Sequence, residues 1–292
     1  MAIVLNLITP LPHSSAYLLI SHGSRDPRPQ IAIEHLAKLV AQRLQPVQLA
    51  VEAERCIPAS MANLGLGNIG DAGSGSSSEY RQPLSAPAFP LMGTAVLELG
   101  PTALHQQIQQ FAELAGSQGY DCIQLVPLFL LPGVHVMEDI PTEVEAAQQQ
   151  LGAAIVLNIC PYLGSHPHLP ELLINPIDPI ANSSTTGKIL ISHGSRRPHG
   201  NQPVELVAAR LNALPAYWSV PPDLETQITA LVKQGCQQIA IVPYFLFEGG
   251  ITDAIAQEVD RLASHFPYVH LHLTRPIGAT PQLADCIIDL LA

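Results

Sequence analysis

The sequence predicts an α/β protein of two similar halves, each a parallel sheet with helices on both faces, set opposite each other across a cleft. Three repeated phrases carry this reading. Tyr17-Leu18-Leu19-Ile20-Ser21-His22-Gly23-Ser24-Arg25 returns as Lys188-Ile189-Leu190-Ile191-Ser192-His193-Gly194-Ser195-Arg196. Leu125-Val126-Pro127-Leu128-Phe129-Leu130 matches Ile241-Val242-Pro243-Tyr244-Phe245-Leu246. Cys160-Pro161-Tyr162-Leu163-Gly164-Ser165-His166-Pro167 lies over Thr274-Arg275-Pro276-Ile277-Gly278-Ala279-Thr280-Pro281.

Taken in order, Tyr17 to Ser21 is an apolar run that stops at small residues, which reads as a buried strand ending in a tight turn. His22 therefore stands at the carboxyl rim of a sheet, where open α/β folds bind ligands. Gly93-Thr94-Ala95-Val96-Leu97-Glu98-Leu99-Gly100-Pro101 reads as a second apolar strand, with Glu98 inside it and a Gly-Pro stop. The run from Leu125 to Leu131 is a third strand, closed by Pro132-Gly133, and His135 follows at the same rim. In the second half, strands are expected at 188–192, near 216–220, at 238–246 and at 269–274. Apolar residues at three- and four-residue spacing predict helices from Pro203 to Leu214 and from Thr252 to Ser264 between them. Each half thus reads strand–helix four times over.

The spacing from His22 to His193 exceeds that from Pro127 to Pro243 by about 55 residues, so the first half carries an insertion. It falls at about 53–92, and its Gly/Ser/Pro composition reads as a flexible loop. The expected organisation is an N-terminal lobe at 1–176, a linker at 177–187 rich in Asn, Ser, Thr and Pro, and a diverged C-terminal lobe at 188–292.

Composition narrows the function. Hydrophobic residues make up 47% of the 292 and the formal net charge is -11, which argues against nucleic-acid or anionic-membrane partners. No apolar stretch reaches the roughly 18 residues that span a bilayer. The start lacks a basic segment, so no secretory leader is expected, and a cytoplasmic location is. Five cysteines without a C-x-x-C pair read as core thiols. Twelve histidines raise the expectation of metal or proton chemistry.

His22, Glu98 and His135 are the candidate site residues. Each has a plainer alternative: a histidine that holds a turn, an outward-facing strand acid, a solvated loop residue. Two imidazoles and a carboxylate suit a divalent first-row metal and also suit proton transfer. The second half is an internal comparison. It keeps His193 but has Ile251 at the His135 position and, counting back from Pro221, Trp218 at the Glu98 position. That asymmetry places one reactive site in the first half.

At these residues the chain resembles the sirohydrochlorin chelatase family, the class II chelatases that insert iron or cobalt into a tetrapyrrole. The Ser-His-Gly-Ser-Arg strand end, Val-Leu-Glu-Leu, and the block from Pro127 through His135 to Asp139-Ile140-Pro141 carry the resemblance, in the family's order. It implies two flavodoxin-like (chelatase-like) lobes with the macrocycle between them, and a metal site of His22, Glu98 and His135. It also implies a lyase that needs Fe2+ or Co2+ as substrate and no further cofactor, working toward sirohaem or cobalamin. Arg25 and Arg28, just past His22, are candidates for the macrocycle's carboxylates; ordinary surface charge is the other reading. With both lobes in one chain, a monomer is expected. A non-catalytic tetrapyrrole or metal carrier using the same cleft is the competing class. Phosphoryl transfer fits less well, because histidine phosphatases place an arginine where this chain has Ser21.

Overall fold

The computed structural model describes residues 15–55, 90–173 and 186–291. Most of the expected insertion and linker, and Cys56, lie outside the described residues. The insertion's edges do not: residues 53–55 end the first helix, and Met92 opens the second strand.

The first lobe runs β1 (Ser15–Ser21), α1 (Pro27–Arg55), β2 (Met92–Val96), α2 (Leu104–Ser117), β3 (Cys122–Pro127), α3 (Ile140–Leu151) and β4 (Val156–Ile159). The second runs β5 (Thr186–Ser192), α4 (Gln202–Arg210), β6 (Leu214–Tyr217), α5 (Leu224–Lys233), β7 (Gln238–Pro243), α6 (Gly250–His265), β8 (His270–Leu273) and α7 (Pro281–Asp289). Both sheets are parallel and share one topology, β2-β1-β3-β4 and β6-β5-β7-β8. The expected duplicated α/β architecture is what the structure shows.

β1 is continuously apolar because it is central and covered on both faces. Ala16, Leu18 and Ile20 point into one core with Leu104, Ile108 and Ile140 from α2 and α3. Tyr17 and Leu19 point the other way, into a core that also holds Leu36 and Val40 of α1 and Ala284 and Ile287 of α7. That second core runs between the lobes, so the two sheets are joined by buried apolar surface. Ion pairs at the edge add to it. Arg43 on α1 pairs with Asp285 on α7. Arg28 grips Asp26 at 2.6 Å and, with its Nη1, donates to Asp253 of α6 at 3.0 Å. These hydrogen bonds from Arg28 hold both carboxyls below their ordinary range.

The structure corrects several details. The helix expected from Pro203 to Leu214 ends at Arg210, because Leu214 opens β6, and the strands expected at 125–131 and 238–246 are 122–127 and 238–243. The second-half edge strand is 214–217 rather than 216–220. Pro215 is accommodated because β6 is an edge, where a missing N–H breaks no ladder bond. The first lobe's fourth helix is, among the described residues, a 3-10 turn at Leu169–Leu173, in the position that α7 fills in the second lobe. Glu98 lies beyond β2 rather than within it, because β1 ends at Ser21 and its register partner is Val96.

Candidate metal centre

Three adjacent strands deliver one group each to the same rim. His22 is the residue after β1, Glu98 lies two residues after β2, and His135 opens a π-type turn that leads from β3 into α3. This is the side of the β2-β1-β3 order at which the chain reverses direction across the sheet, the expected ligand crevice of such folds.

Local backbone geometry sets the first two groups. Ladder bonding continues past the strand ends, with Leu97 N–H donating to Ser21 O and Glu98 N–H to His22 O, both at 2.8 Å. The chain passes so close here that only glycine fits at position 23. Gly23 has φ +99°, and a Cβ on it would lie 1.9 Å from the Glu98 carbonyl oxygen. Gln107 on α2 braces the same loop: its Oε1 accepts from Val96 N–H at 3.0 Å, and its Nε2 donates to the Val96 and Thr102 carbonyls at 2.9 Å.

The three side chains converge. One ligand atom from each of His22, Glu98 and His135 lies within 4.8 Å of the others, and no other His, Cys, Asp or Glu trio among the described residues comes as close. His22 Nε2 is 3.9 Å from Glu98 Oε2. The two imidazoles meet edge to face with centroids 4.8 Å apart, and Phe129 packs beside both. With Nδ1 of each ring engaged, Nε2 is the nitrogen left to face a metal. His22 Nδ1–H donates to the Gly23 carbonyl at 3.3 Å, and His135 Nδ1–H donates to Asp139 at 2.7 Å. A carboxylate behind an imidazole fixes its tautomer and raises its basicity toward a metal. Ligand atoms about 2.0–2.2 Å from a common ion sit at most about 4.4 Å apart. The widest separation here would therefore have to close by at least about 0.4 Å to hold an ion, through rotation of side chains that are one-third to one-half exposed. Three protein donors also leave coordination positions open for an incoming ligand.

Asp139 and Gln107 were not singled out in the sequence. For Asp139 the signal was present, since residues four apart on a helical turn face each other. Asp139→Ala is expected to weaken metal affinity about 10- to 100-fold, and Asp139→Asn less, because an amide oxygen still accepts from Nδ1–H. Competition titration with Co2+ checks this; unchanged affinity contradicts it.

A cleft of about 480 Å³ adjoins the cluster at His22 and runs between the lobes. Its walls are Ile33, Val96 and Leu99 on one side and Phe245, Phe247 and Ile251 on the other. Leu99 is 58% exposed with φ 59°, a left-handed conformation that a bulky residue rarely adopts. Glu98 and His135 stand outside this lining, so His22 is the hinge between cleft and cluster.

Of the other candidates, Arg25 is exposed and has no ion pair among the described residues, while Arg28 is engaged by Asp26 and Asp253. In the second lobe, Trp218 N–H donates to Ser192 O and Ser219 N–H to His193 O. The structural counterpart of Glu98 is therefore Ser219, not Trp218. Ile251 does stand where His135 stands, eight residues beyond the proline paired across the sheet. The second lobe still keeps one of the three groups. His166 contacts Asp289 at 3.4 Å and His105 pairs with Glu143 at 2.8 Å, so these two join elements of the fold. The described cysteines are free, with Cys122, Cys160 and Cys286 buried.

Fold and site together define a two-lobed α/β protein with a histidine–carboxylate cluster, of a kind that could hold a metal ion, at the mouth of an interlobe cleft. A family model described as CbiX matches residues 88–179 and again 187–292, one match per lobe, so the chain belongs to the CbiX family, the sirohydrochlorin chelatase grouping that its motifs resemble. The sirohydrochlorin ferrochelatase of Priestia megaterium is 24% identical over 185 residues, covering 60% of this chain and 68% of the relative. That of Bacillus subtilis (strain 168) is 26% identical over 186 residues, covering 61% and 70%. Among solved structures, the sirohydrochlorin chelatase SirB from Bacillus subtilis subspecies spizizenii in complex with cobalt matches with TM-score 0.61 at 20% identity, over 95% of this chain and 94% of that one. SirB from Bacillus subtilis with Fe3+ matches with TM-score 0.63 at 20% identity over the same shares. At that identity the structural likeness speaks for the fold.

Proposed function

We propose that this chain is a metal chelatase that inserts a divalent first-row metal, Fe2+ or Co2+, into sirohydrochlorin. The observation that carries the reading is the convergence of His22, Glu98 and His135 at the end of a cleft with apolar walls. The cleft takes the flat macrocycle, and the cluster holds the metal at its edge. Sirohydrochlorin gives up two pyrrolic protons as it takes up the ion, so the site must supply a metal and accept two protons.

The residues fit both tasks. His22 and His135 hold the ion through Nε2 as neutral imidazoles. Glu98 completes the donor set. As the ring nitrogens replace these donors, the freed imidazoles and the carboxylate are the bases nearest to the departing protons. A site of three donors, open to solvent and without thiolate, suits an ion that must leave again. The cleft walls hold the ring against the cluster and exclude water. Imidazole and carboxylate bind both Fe2+ and Co2+, and the product serves sirohaem or corrinoid synthesis accordingly. The lobes divide at residues 177–187, and one chain supplies both, so the working form is a monomer. No helix among the described residues is long and apolar enough to cross a membrane, which fits a cytoplasmic enzyme.

The test is anaerobic incubation of the purified protein with sirohydrochlorin and Co2+ or Fe2+, followed by absorbance. Insertion well above the protein-free rate is expected. Binding of the macrocycle without acceleration identifies a carrier instead.

A further inference from the structure

We infer that a recess beside the cleft, with Arg275 as its open cation, binds a peripheral carboxylate of the macrocycle; the inference rests on the substrate proposed above. Sirohydrochlorin is a polycarboxylate, whereas the chain has 24 acidic and 13 basic side chains. No lysine or arginine lines the interlobe cleft among the described residues. The cleft can pack the ring but offers the carboxylates no counter-charge.

That charge lies next door. A recess of about 370 Å³ shares Phe247 with the cleft and is lined by Arg28, Arg275 and Glu248. Arg28 is consumed by Asp26 and Asp253. Arg275 stands two residues past β8, exposed, with no ion pair among the described residues, Glu248 included. The contrast with arginines elsewhere is informative. Arg43 and Arg261 are paired with acids. Arg25, Arg196, Arg197 and Arg275 have no such pair among the described residues, and all four follow strand ends at the carboxyl rims; Arg210, at the end of α4, also lacks an acid but donates to the Pro167 carbonyl. In an acidic protein, unpaired guanidiniums gathered on the ligand side mark where an anion docks. The planar fork of Arg275 matches a carboxylate with two charge-assisted hydrogen bonds. A carboxylate held in the recess strengthens binding of the ring alike before and during insertion.

The experiment measures binding of metal-free sirohydrochlorin to the full chain by fluorescence quenching, alongside Co2+ insertion kinetics. Arg275→Ala is expected to raise Kd and KM for the macrocycle about tenfold, the loss of a charged hydrogen bond, with kcat and the KM for Co2+ unchanged. Arg275→Lys recovers part of the loss. Glu248→Gln has the opposite sign and tightens binding, because it removes the competing negative charge. Macrocycle binding within twofold of the unaltered chain in both Arg275→Ala and Glu248→Gln overturns the subsite, as does an Arg275→Ala loss shared equally by kcat and Co2+ affinity. If the unaltered chain inserts metal and Arg275→Ala matches it, the subsite alone falls. If the unaltered chain binds no sirohydrochlorin, the substrate reading falls with it.

Discussion

Replacing His22 or His135 by alanine is expected to reduce metal insertion by about 100- to 10,000-fold, the range associated with removing a positioned acid–base group, while leaving the fold intact. Each substitution removes one of three converging donors, and neither side chain is buried: His22 is about half exposed and His135 about one-third exposed. Neither belongs to an apolar core, so thermal denaturation should hardly change. His193 is the control. It occupies the same strand end in the second lobe, but its neighbours there are Ser219 and Ile251, which offer no second imidazole or carboxylate. His193→Ala should retain insertion within a few-fold of the unaltered chain. Steady-state insertion rates for the three variants decide the matter, and equal losses at His22 and His193 would mean that both lobes share the chemistry.

The second large effect is expected from a residue with no side chain. Gly23→Ala places a methyl group 1.9 Å from the Glu98 carbonyl oxygen, at a backbone φ of +99° that alanine adopts only under strain. Both neighbours of the clash are backbone, so no side-chain rotation relieves it. The Glu98 loop must move, and the Glu98 N–H to His22 O hydrogen bond holds it to the histidine that moves with it. Stability should fall by about 2–4 kcal/mol, within the range of left-handed strain combined with overpacking. Insertion should fall about 100-fold through displacement of Glu98. Gly194→Ala separates these effects. Its φ is +83°, but its added Cβ meets side-chain atoms of Tyr217 and Val220 at 2.8 Å, in the lobe without the cluster. It should lose stability yet keep insertion. Denaturation midpoints and kcat measured on both variants test the pair; wild-type insertion by Gly23→Ala would show that the position of Glu98 does not matter.

The contrast between these glycines shows what the sequence could reveal. The duplication, the central strands and the rim position of both histidines were legible, because a strand buried on both faces leaves an unbroken apolar run and the turn after it needs small residues. The fate of Glu98 was not. Ala95 to Leu99 is as apolar as a strand, and only pairing with β1, which stops at Ser21, ends β2 at Val96. Counting from proline then misassigned its counterpart by one residue. Pro101 lies five residues beyond the end of β2 and Pro221 four beyond the end of β6, so the second-lobe loop is one residue shorter. Arg275 was visible only as part of a repeat, because its meaning depends on a recess formed by residues from both lobes.

The central claim is that two imidazoles and a carboxylate from three neighbouring strands hold one ion. X-ray absorption of the Co2+-loaded protein tests it most directly. The expected spectrum shows two imidazole nitrogens with oxygen donors completing the shell, and loss of one imidazole in each of His22→Ala and His135→Ala. A spectrum with sulfur donors, or one left unchanged by both substitutions, would place the metal elsewhere and contradict the account.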